Sequence, residues 1–209
     1  LYYSDQQKNF LNMDNSIGYL WECCPLSFAS MREIKQIQAI LGSVFPKDTV
    51  MQFIFMADND VKHIIDAYTA NKTRQDGLVQ KTIGEYAKFL LAGTNGVKQV
   101  HNIPIRNFRL FVSLKSVADF AEDTLSIVEE TLKGANLAPS RVNGESLLLW
   151  LRTFFNGEEN QPHQVQLDKS VPLRKQVIDA QTEIEFNDNE RYVRIGKKFA
   201  RCITPKNTR

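Results

Sequence analysis

Glycine and lysine at a fixed spacing are the residues of this chain that could bind a nucleotide phosphate. A P-loop needs Gly, four residues, Gly-Lys and then Ser or Thr, because backbone amides surround the phosphates while the lysine and the hydroxyl reach phosphate and metal. The pair Gly196-Lys197 has no glycine at the required distance before it and no Ser or Thr after it. Gly93 and Gly96 do not form a dinucleotide-binding fingerprint, since neither opens a strand-to-helix turn with a third glycine. We therefore predict no cofactor site and no catalytic residue in this chain.

Histidines and carboxylates do not follow a metal-binding pattern. His63, His101 and His163 lie far apart, and none belongs to a Cys-x-x-Cys or His-Glu-x-x-His motif. His63 and Asp66 share a predicted helix face, where a surface role is commoner than metal binding. Asp58-Asn59-Asp60 resembles the start of a calcium loop, but His63 stands where the turn needs Gly. We predict no metal site.

The cysteines could supply a nucleophile or a disulfide. There are three, an odd number, and Cys23 and Cys24 are adjacent, which does not indicate a disulfide framework and favours a reducing cytosol. The adjacent pair could be reactive, but beside strand residues and Pro25 we favour small buried hydrophobes. The Gly-x-Ser-x-Gly nucleophile motif is absent, because Gly144-Glu145-Ser146 is followed by leucines.

Cations concentrate at the C-terminal end. Seven Lys and Arg and no acid fall within residues 191–209, which leaves the rest of the chain with five more acids than bases. Such a tail could follow the phosphates of a nucleic acid or of an anionic lipid. We favour the alternative in which these cations face the acids of residues 183–190 across a hairpin, because opposite charges stabilise antiparallel pairs. The candidate interaction residues are Arg191, Arg194, Lys197 and Lys198.

The overall composition is that of a globular protein. A chain of 209 residues with 43% hydrophobic and 24% charged residues can bury its own core. No stretch approaches the roughly 18 uncharged apolar residues that would span a bilayer, and the N-terminus lacks a signal-peptide pattern. The chain does not begin with Met, from which we expect a fragment or a processed chain.

Local patterns predict strands interleaved with helices. Phe10–Asn12 and Ser16–Glu22 should form a hairpin about Asp14-Asn15, and Ser30 with Glu33 should form a capping box. Thr49–Ala57 is short, apolar and partly β-branched, so we expect a central strand covered on both faces, with Phe53 in the core. Further predicted elements are helices from about Asp60 and over Val79–Leu90, a strand Phe108–Leu114, a helix capped by Ser116, a buried helix opening at Asn143, and strands at Thr182–Phe186, Tyr192–Ile195 and Phe199–Ile203.

These elements predict an α+β fold, in which a mixed or antiparallel sheet is layered with helices and is opened and closed by β-hairpins. The polar, turn-rich residues 156–172 form the best internal linker. We therefore divide the chain at this point. Residues 1–157 form the main α+β layer, and residues 158–209 form a linker and a C-terminal hairpin segment that completes the domain.

Four segments of the chain resemble one protein family. They are Asn12-x-Asp14-x-Ser16-x-Gly18 leading to Glu22 and Pro25-Leu26, then Val50–Asp58, then Arg106–Leu114, then Val171-Pro172-Leu173-Arg174-Lys175-Gln176. In this order they are similar to the N-terminal domain of the TraC family, the F-type conjugative pilus-assembly ATPases related to the VirB-type ATPases of type IV secretion. The resemblance covers nearly the whole chain and ends near Thr204-Pro205-Lys206, where members continue toward their ATPase module.

The resemblance implies a protein of the bacterial cytoplasm, peripheral to the inner membrane, that serves pilus biogenesis and DNA or protein transfer. Its implied partners are other secretion and pilus-assembly proteins, with self-association as an option. ATP and Mg²⁺ would bind only in the C-terminal module outside this chain. The expected function is a non-catalytic docking and assembly domain. Two alternatives stay open: a nucleic-acid-binding module that uses the basic tail, and an independent small enzyme.

Overall fold

The computed structural model describes residues 1–42, 45–72, 76–156, 165–186, 192–196 and 198–201. The strands are β1 Tyr2–Ser4, β2 Asn9–Leu11, β3 Ile17–Cys23, β4 Val50–Asp58, β5 Asn107–Ser116, β6 Ser140–Arg141, β7 Ile184–Phe186, β8 Val193–Ile195 and β9 Lys198–Ala200. The helices are α1 Met31–Leu41, α2 Lys62–Ala70, α3 Gly77–Ala92, α4 Glu122–Gly134, α5 Gly144–Asn156 and α6 Leu173–Val177, with short 3₁₀ turns at Gly93–Asn95 and Lys98–Val100.

The strands form two antiparallel sheets. The larger sheet has the order β1-β2-β3-β5-β4, with β6 also paired to β3, and the smaller sheet has the order β7-β8-β9. We call the smaller sheet the C-terminal ribbon. Helices pack on the larger sheet, and the paired strands β2–β3 and β7–β8 lie toward the two ends of the chain. The predicted α+β class with an antiparallel sheet is confirmed.

Polar side chains of the turn between β2 and β3 close the first hairpin through hydrogen bonds. The backbone N–H of Asn12 donates to the Ser16 carbonyl at 2.8 Å. The Asp14 carboxylate accepts from the Ser16 hydroxyl at 2.6 Å and from its backbone N–H at 3.2 Å. Asn15 adopts a φ of 61°, which Asn tolerates better than most residues. The predicted hairpin between β2 and β3 is confirmed.

Two of the three residues predicted to begin a helix with their side chains are confirmed. Ser30 and Glu33 form both halves of a capping box at α1, and the Asn143 side chain accepts from the Ser146 backbone N–H at the start of α5. The prediction that Ser116 caps a helix is wrong. Ser116 is buried, ends β5 and pairs with Ile17, so the strand ladder continues through it and α4 begins only at Glu122.

The larger sheet has a core on each face. Successive strand residues point to opposite faces. One face of β3 and β5, with Trp21, Val112 and Leu114, packs in a cluster that includes Ile40 of α1 and Leu125 of α4. On the other face, a second cluster joins Phe10, Leu147, Leu148, Leu167, Leu173 and Val177. The sheet therefore lies between α1 and α4 on one side and α5 and α6 on the other.

The prediction that Thr49–Ala57 is a central strand covered on both faces is wrong. Among the described residues, β4 pairs with β5 alone and lies at the edge of the sheet. Its side chains are mostly exposed, and Phe53 has an exposed fraction of 42%. The apolar run indicated a strand correctly, but burial depends on which helices pack over it. The two buried clusters centre on β2, β3, β5 and their helices.

Part of the predicted linker packs on the core. Residues 157–164 lie outside the described residues. Leu167 is buried in the second cluster with Val165 packed against it, and the Gln176 side-chain oxygen accepts from the Asp168 backbone N–H at 3.0 Å. The division at residue 157 stays a prediction. Among the described helices, none combines the length and the hydropathy that a bilayer span requires.

Candidate docking surface

Exposed apolar side chains lie on a pair of helices inserted in a β-hairpin. Asp58 at the end of β4 pairs with Asn107 at the start of β5, so the chain leaves and re-enters the sheet at one point. α2 and α3 lie within this insertion, and the rings of Tyr68 and Tyr86 contact each other with centroids 6.2 Å apart. We call α2 and α3 the helical arm.

The longer helix of the arm buries none of its residues. α3 has 16 residues, and every one remains at least partly exposed. Leu78 has an exposed fraction of 74%, and Tyr86, Phe89 and Leu91 are exposed as well. A surface helix normally buries an apolar stripe and exposes a polar face. The arm therefore offers aromatic and aliphatic side chains that the described fold leaves partly or largely exposed.

Hydrogen bonds fix the base of the arm to the start of β5. The Arg106 guanidinium donates to the Thr94 carbonyl at 2.6 Å and to the Ile105 carbonyl at 2.9 Å. The Ile105 backbone N–H donates to the Gly93 carbonyl at 2.9 Å. A Cβ at position 93 would lie 2.6 Å from the Ile105 side chain, so Gly93 permits this close approach. The arm is thus attached by a defined turn at its base.

An open cleft of about 580 Å³ lies beside the base of the arm, between the end of β4, α5 and the C-terminal ribbon. Its lining combines aromatic and charged side chains. The side chains that characterise it are Asp58, Arg106, Trp150, Phe154, Lys198 and Arg201. Trp150 stacks on Phe111 at 4.6 Å, so the aromatic wall is anchored in the sheet. Among the described residues that line the cleft, cations outnumber acids.

The structure assigns different surroundings to the two described candidate interaction residues. Arg194 donates to the Glu185 carboxylate at 2.5 Å and lies 3.5 Å from that of Glu183, across the β7–β8 pair. Lys198 donates to the Thr153 and Phe154 carbonyls at 3.2 and 3.0 Å, in the last turn of α5. Arg191 and Lys197 lie outside the described residues.

The surroundings of Arg194 match the opposite-charge pairing expected across this hairpin. A role of these four cations in interaction stays a prediction.

The titratable groups of the sequence motifs are dispersed. Burial raises the pKa of the Cys23 thiol to about 12, so at neutral pH it is a protonated, buried small side chain. The prediction of a buried side chain is confirmed for Cys23 and wrong for Cys24, which is exposed because it follows the end of β3. His63 lies 3.7 Å from Asp60, whereas Asp66 accepts from Lys62 at 2.5 Å. Within the described residues, no three His, Cys, Asp or Glu side chains converge on a point where a metal ion could bind.

The one Gly-Lys pair does not fit an ATP-binding loop. Gly196 adopts a φ of 55° and follows β8 directly, in the turn toward β9. A P-loop instead joins a strand to the N-terminus of a helix, where backbone amides face the phosphates. Gly196 therefore lies between two paired strands of the ribbon and not before a helix.

The sequence analysis did not identify the arm as a candidate surface. In the helix predicted over Val79–Leu90, the residues Val79, Ile83, Tyr86 and Leu90 form the apolar stripe of an amphipathic helix. The signal for an exposed surface was present in Leu78, Phe89 and Leu91, because these apolar residues fall beside that stripe. A helix that is apolar on more than one face must bury more than one face.

A comparison with protein families identifies the relationship of the whole chain. A family model described as TraC protein matches residues 1–208. No curated protein and no solved structure matches the chain. The family match spans all the elements described above, including the helical arm and the C-terminal ribbon. The chain therefore belongs to the TraC family, the family of conjugative pilus assembly in type IV secretion.

Proposed function

We propose that this chain is a non-catalytic docking and assembly domain of a longer type IV secretion ATPase. The observation that carries the proposal is the helical arm, whose 16-residue α3 has no buried residue and exposes Leu78, Tyr86, Phe89 and Leu91. Membership of the family supplies the setting, because pilus assembly requires contacts between several components. The partners would be other pilus-assembly proteins with an apolar surface.

The arm has the features of a binding element. Burial of one large apolar side chain stabilises a complex by about 1.5–3 kcal/mol, and only part of this is left after the cost of association. Four exposed side chains on one helix can therefore supply useful affinity. The hydrogen bonds of Arg106 and Ile105 at the base of the arm limit the entropy lost on docking.

A docking domain of this kind would hold the motor at the cytoplasmic side of the inner membrane. ATP and Mg²⁺ would bind in a module outside this chain. The contribution of the domain would be position: it would keep the hydrolysing module next to the machinery that it drives. Loss of the docking surface should then spare the fold and reduce transfer.

Paired substitutions in the full-length protein test the arm. Phe89→Ser combined with Leu91→Ser should reduce recovery with the membrane fraction, co-purification with pilus-assembly components, and conjugative transfer. The melting temperature should stay within a few degrees, because neither side chain is buried. The matched control is Ile127→Ser, an exposed apolar residue of α4. Transfer and recovery at wild-type levels in the double variant would contradict the proposal.

The cationic ribbon is a second docking candidate within the same function. Arg191, Arg194, Lys197 and Lys198 could contact acidic protein or anionic lipid. Lys198 contacts α5, so its reversal would also disturb the fold. Lys197→Glu combined with Arg201→Glu is therefore the cleaner test in the full-length protein. Reduced membrane recovery without a loss of stability would support this candidate, and unchanged recovery would exclude it.

The nucleic-acid alternative is tested with the same double variant. Arg194 is already engaged by two carboxylates, which lowers the positive charge that the ribbon can offer to phosphates. We expect a titration with short DNA to be flat at moderate salt. Salt-dependent binding that the double reversal removes would favour the nucleic-acid module instead.

A further inference from the structure

The outer edge of β4 has backbone groups that no described strand pairs. On its inner edge β4 pairs with β5 over its full length, from Val50 opposite Lys115 to Asp58 opposite Asn107, without a bulge. Among the described residues no strand lies on the other side. A regular nine-residue strand with one open edge is a template for adding another strand.

The sequence of this edge lacks the charged residues and prolines that usually prevent strand addition. Residues 50–57 contain no charged residue and no proline. Soluble proteins usually protect an exposed edge with Lys, Pro, a bulge or a covering element, because unprotected edges associate. The exposed fraction reaches 64% at Phe55 and is also high at Val50 and Ile54. The uncharged, exposed sequence of residues 50–57 indicates that another strand covers this edge in the functional assembly.

The side chains of β4 are complementary to those of β4 in a second copy of the chain when the two strands are antiparallel. Phe53 and Phe55 lie on the α1 and α4 side of the sheet, since Phe53 is opposite Val112, and Phe55 stacks on Phe108 at 5.5 Å. A twofold axis through Ile54, perpendicular to the sheet, would put Phe53 opposite Phe55 of the second copy. It would also put Ile54 opposite Ile54 of the second copy on the other face. Aromatic and β-branched cross-strand pairs of this kind are favourable.

We propose that β4 pairs antiparallel with β4 of a second copy of this chain, about a twofold axis at Ile54. The contact is isologous, so one surface serves both copies and the assembly closes as a dimer. No like charges oppose each other within residues 50–57. Two five-strand paths joined at β4 give a continuous sheet of about ten strands, near the upper size of open twisted sheets.

This proposal does not depend on the docking role of the helical arm. Self-association is measured on the chain alone, whereas the arm is tested by recovery and transfer in the full-length protein. The two can therefore fail separately. A strand from a different protein at this edge would leave the isolated chain monomeric, and this outcome would contradict the proposal.

Sedimentation velocity of the 209-residue chain tests the dimer. We expect a concentration-dependent dimer within the range up to about 100 µM, and Ile54→Lys should weaken the dimer by about tenfold or more, because it puts a charge at the paired edge. The matched control, Ile127→Lys on the exposed side of α4, should dimerise like the wild type. Circular dichroism should give the same folded spectrum for both variants. A wild-type chain that stays monomeric would overturn the proposal.

Cross-linking tests the register independently of any loss of folding. Ile54→Cys, in a chain whose Cys24 and Cys202 are changed to Ser, should form a covalent dimer on mild oxidation, because the two residues face each other on the axis. Ile127→Cys in the same background should not. Dimers of equal yield from both variants would contradict pairing at β4.

Discussion

The indole N–H of Trp21 donates to the Glu129 Oε1 at 2.9 Å, although 108 residues separate them in the chain. Trp21 is fully buried on β3, and Glu129 lies on α4. The Arg141 guanidinium of β6 donates to the same carboxylate oxygen. Burial alone would raise the pKa of Glu129, but the hydrogen bonds from Trp21 and Arg141 outweigh it and lower the pKa below its ordinary value of 4.5. This carboxylate therefore links the sheet to its covering helix.

The first prediction is a loss of stability in acid that depends on Glu129. A carboxyl group with a lowered folded-state pKa contributes stability above its unfolded pKa and loses it as pH falls through the folded value. Glu129→Gln should cost about 1–3 kcal/mol at pH 7, because it removes a charged acceptor from a partly buried network. Its free energy of unfolding should also change less between neutral pH and about pH 3.

Urea unfolding at a series of pH values measures both effects of Glu129→Gln. Glu130→Gln is the matched control, since the neighbouring Glu130 is exposed and pairs only with Lys133 among the contacts described. Its profile should follow that of the wild type. If the profiles of Glu129→Gln and the wild type run parallel, the Trp21–Glu129 contact does not control the acid sensitivity.

The second prediction concerns the position of the core. Phe53→Ala should cost about 1 kcal/mol or less, because Phe53 lies on the exposed edge strand. Leu114→Ala should cost about 2–5 kcal/mol, because Leu114 is fully buried between the sheet and its helices. Chemical denaturation of the two variants checks the difference. Equal losses would mean that β4 is covered in the folded chain, as it would be if the dimer persists under the conditions of the assay.

Repeating the denaturation at two protein concentrations separates those explanations. A cost of Phe53→Ala that grows with concentration reports the β4 interface, since dimerisation adds to apparent stability. A large cost that does not depend on concentration would place Phe53 in the core of the single chain. Leu114→Ala should show a large cost at both concentrations.

Local signals in the sequence predicted the elements better than their burial. Capping and turn residues act through hydrogen bonds to groups a few residues away, so they can be recognised from the local sequence. The examples are Ser30 with Glu33, Asn143, and the turn around Asp14. The burial of Phe53 depends instead on which helices cover β4, and that follows from the long-range order of the sheet. The short strands β1 and β6 were missed for the same reason, because their pairing partners define them.

The candidate site was predictable only in part. The ion pair between Arg194 and an acid of the same hairpin was predictable, because it involves only two strands that are neighbours in the sequence. The structure contains this pair, between Arg194 and Glu185. The contact of Lys198 with α5 joins elements more than 40 residues apart, and no local pattern encodes it. The exposure of the helical arm depends on tertiary packing, because α3 packs on α2 and no other described helix covers it. In the sequence, only Leu78 and Phe89 indicated that the helix is apolar on more than one face.

The third prediction is a difference in reactivity between adjacent thiols. Cys24 is exposed, while burial raises the pKa of Cys23 to about 12. In a Cys202→Ser chain at about pH 8, a thiol-specific reagent should label one cysteine quickly and the second only after unfolding, because the thiolate is the reactive form. Mass spectrometry of the labelled peptide identifies the site. Rapid labelling of Cys23 in the folded chain would contradict its buried position on β3.

The last prediction separates a structural role of Lys198 from a purely surface role. Its ammonium group donates to the carbonyls of Thr153 and Phe154 at the C-terminal turn of α5, where carbonyls lack partners within the helix and the helix dipole favours a cation. Lys198→Glu should therefore destabilise the chain by about 1 kcal/mol, a fall in melting temperature of about 2–4 °C for a domain of this size.

Arg201→Glu removes the same charge from an exposed neighbour without this contact, and should leave the melting temperature within about 1 °C of the wild type. Lys198→Met retains the aliphatic stem and should lie between the two. Differential scanning calorimetry of the three variants at low and high salt checks the order, since the dipole interaction weakens with salt. Equal effects of Lys198→Glu and Arg201→Glu would mean that the ribbon does not hold the end of α5.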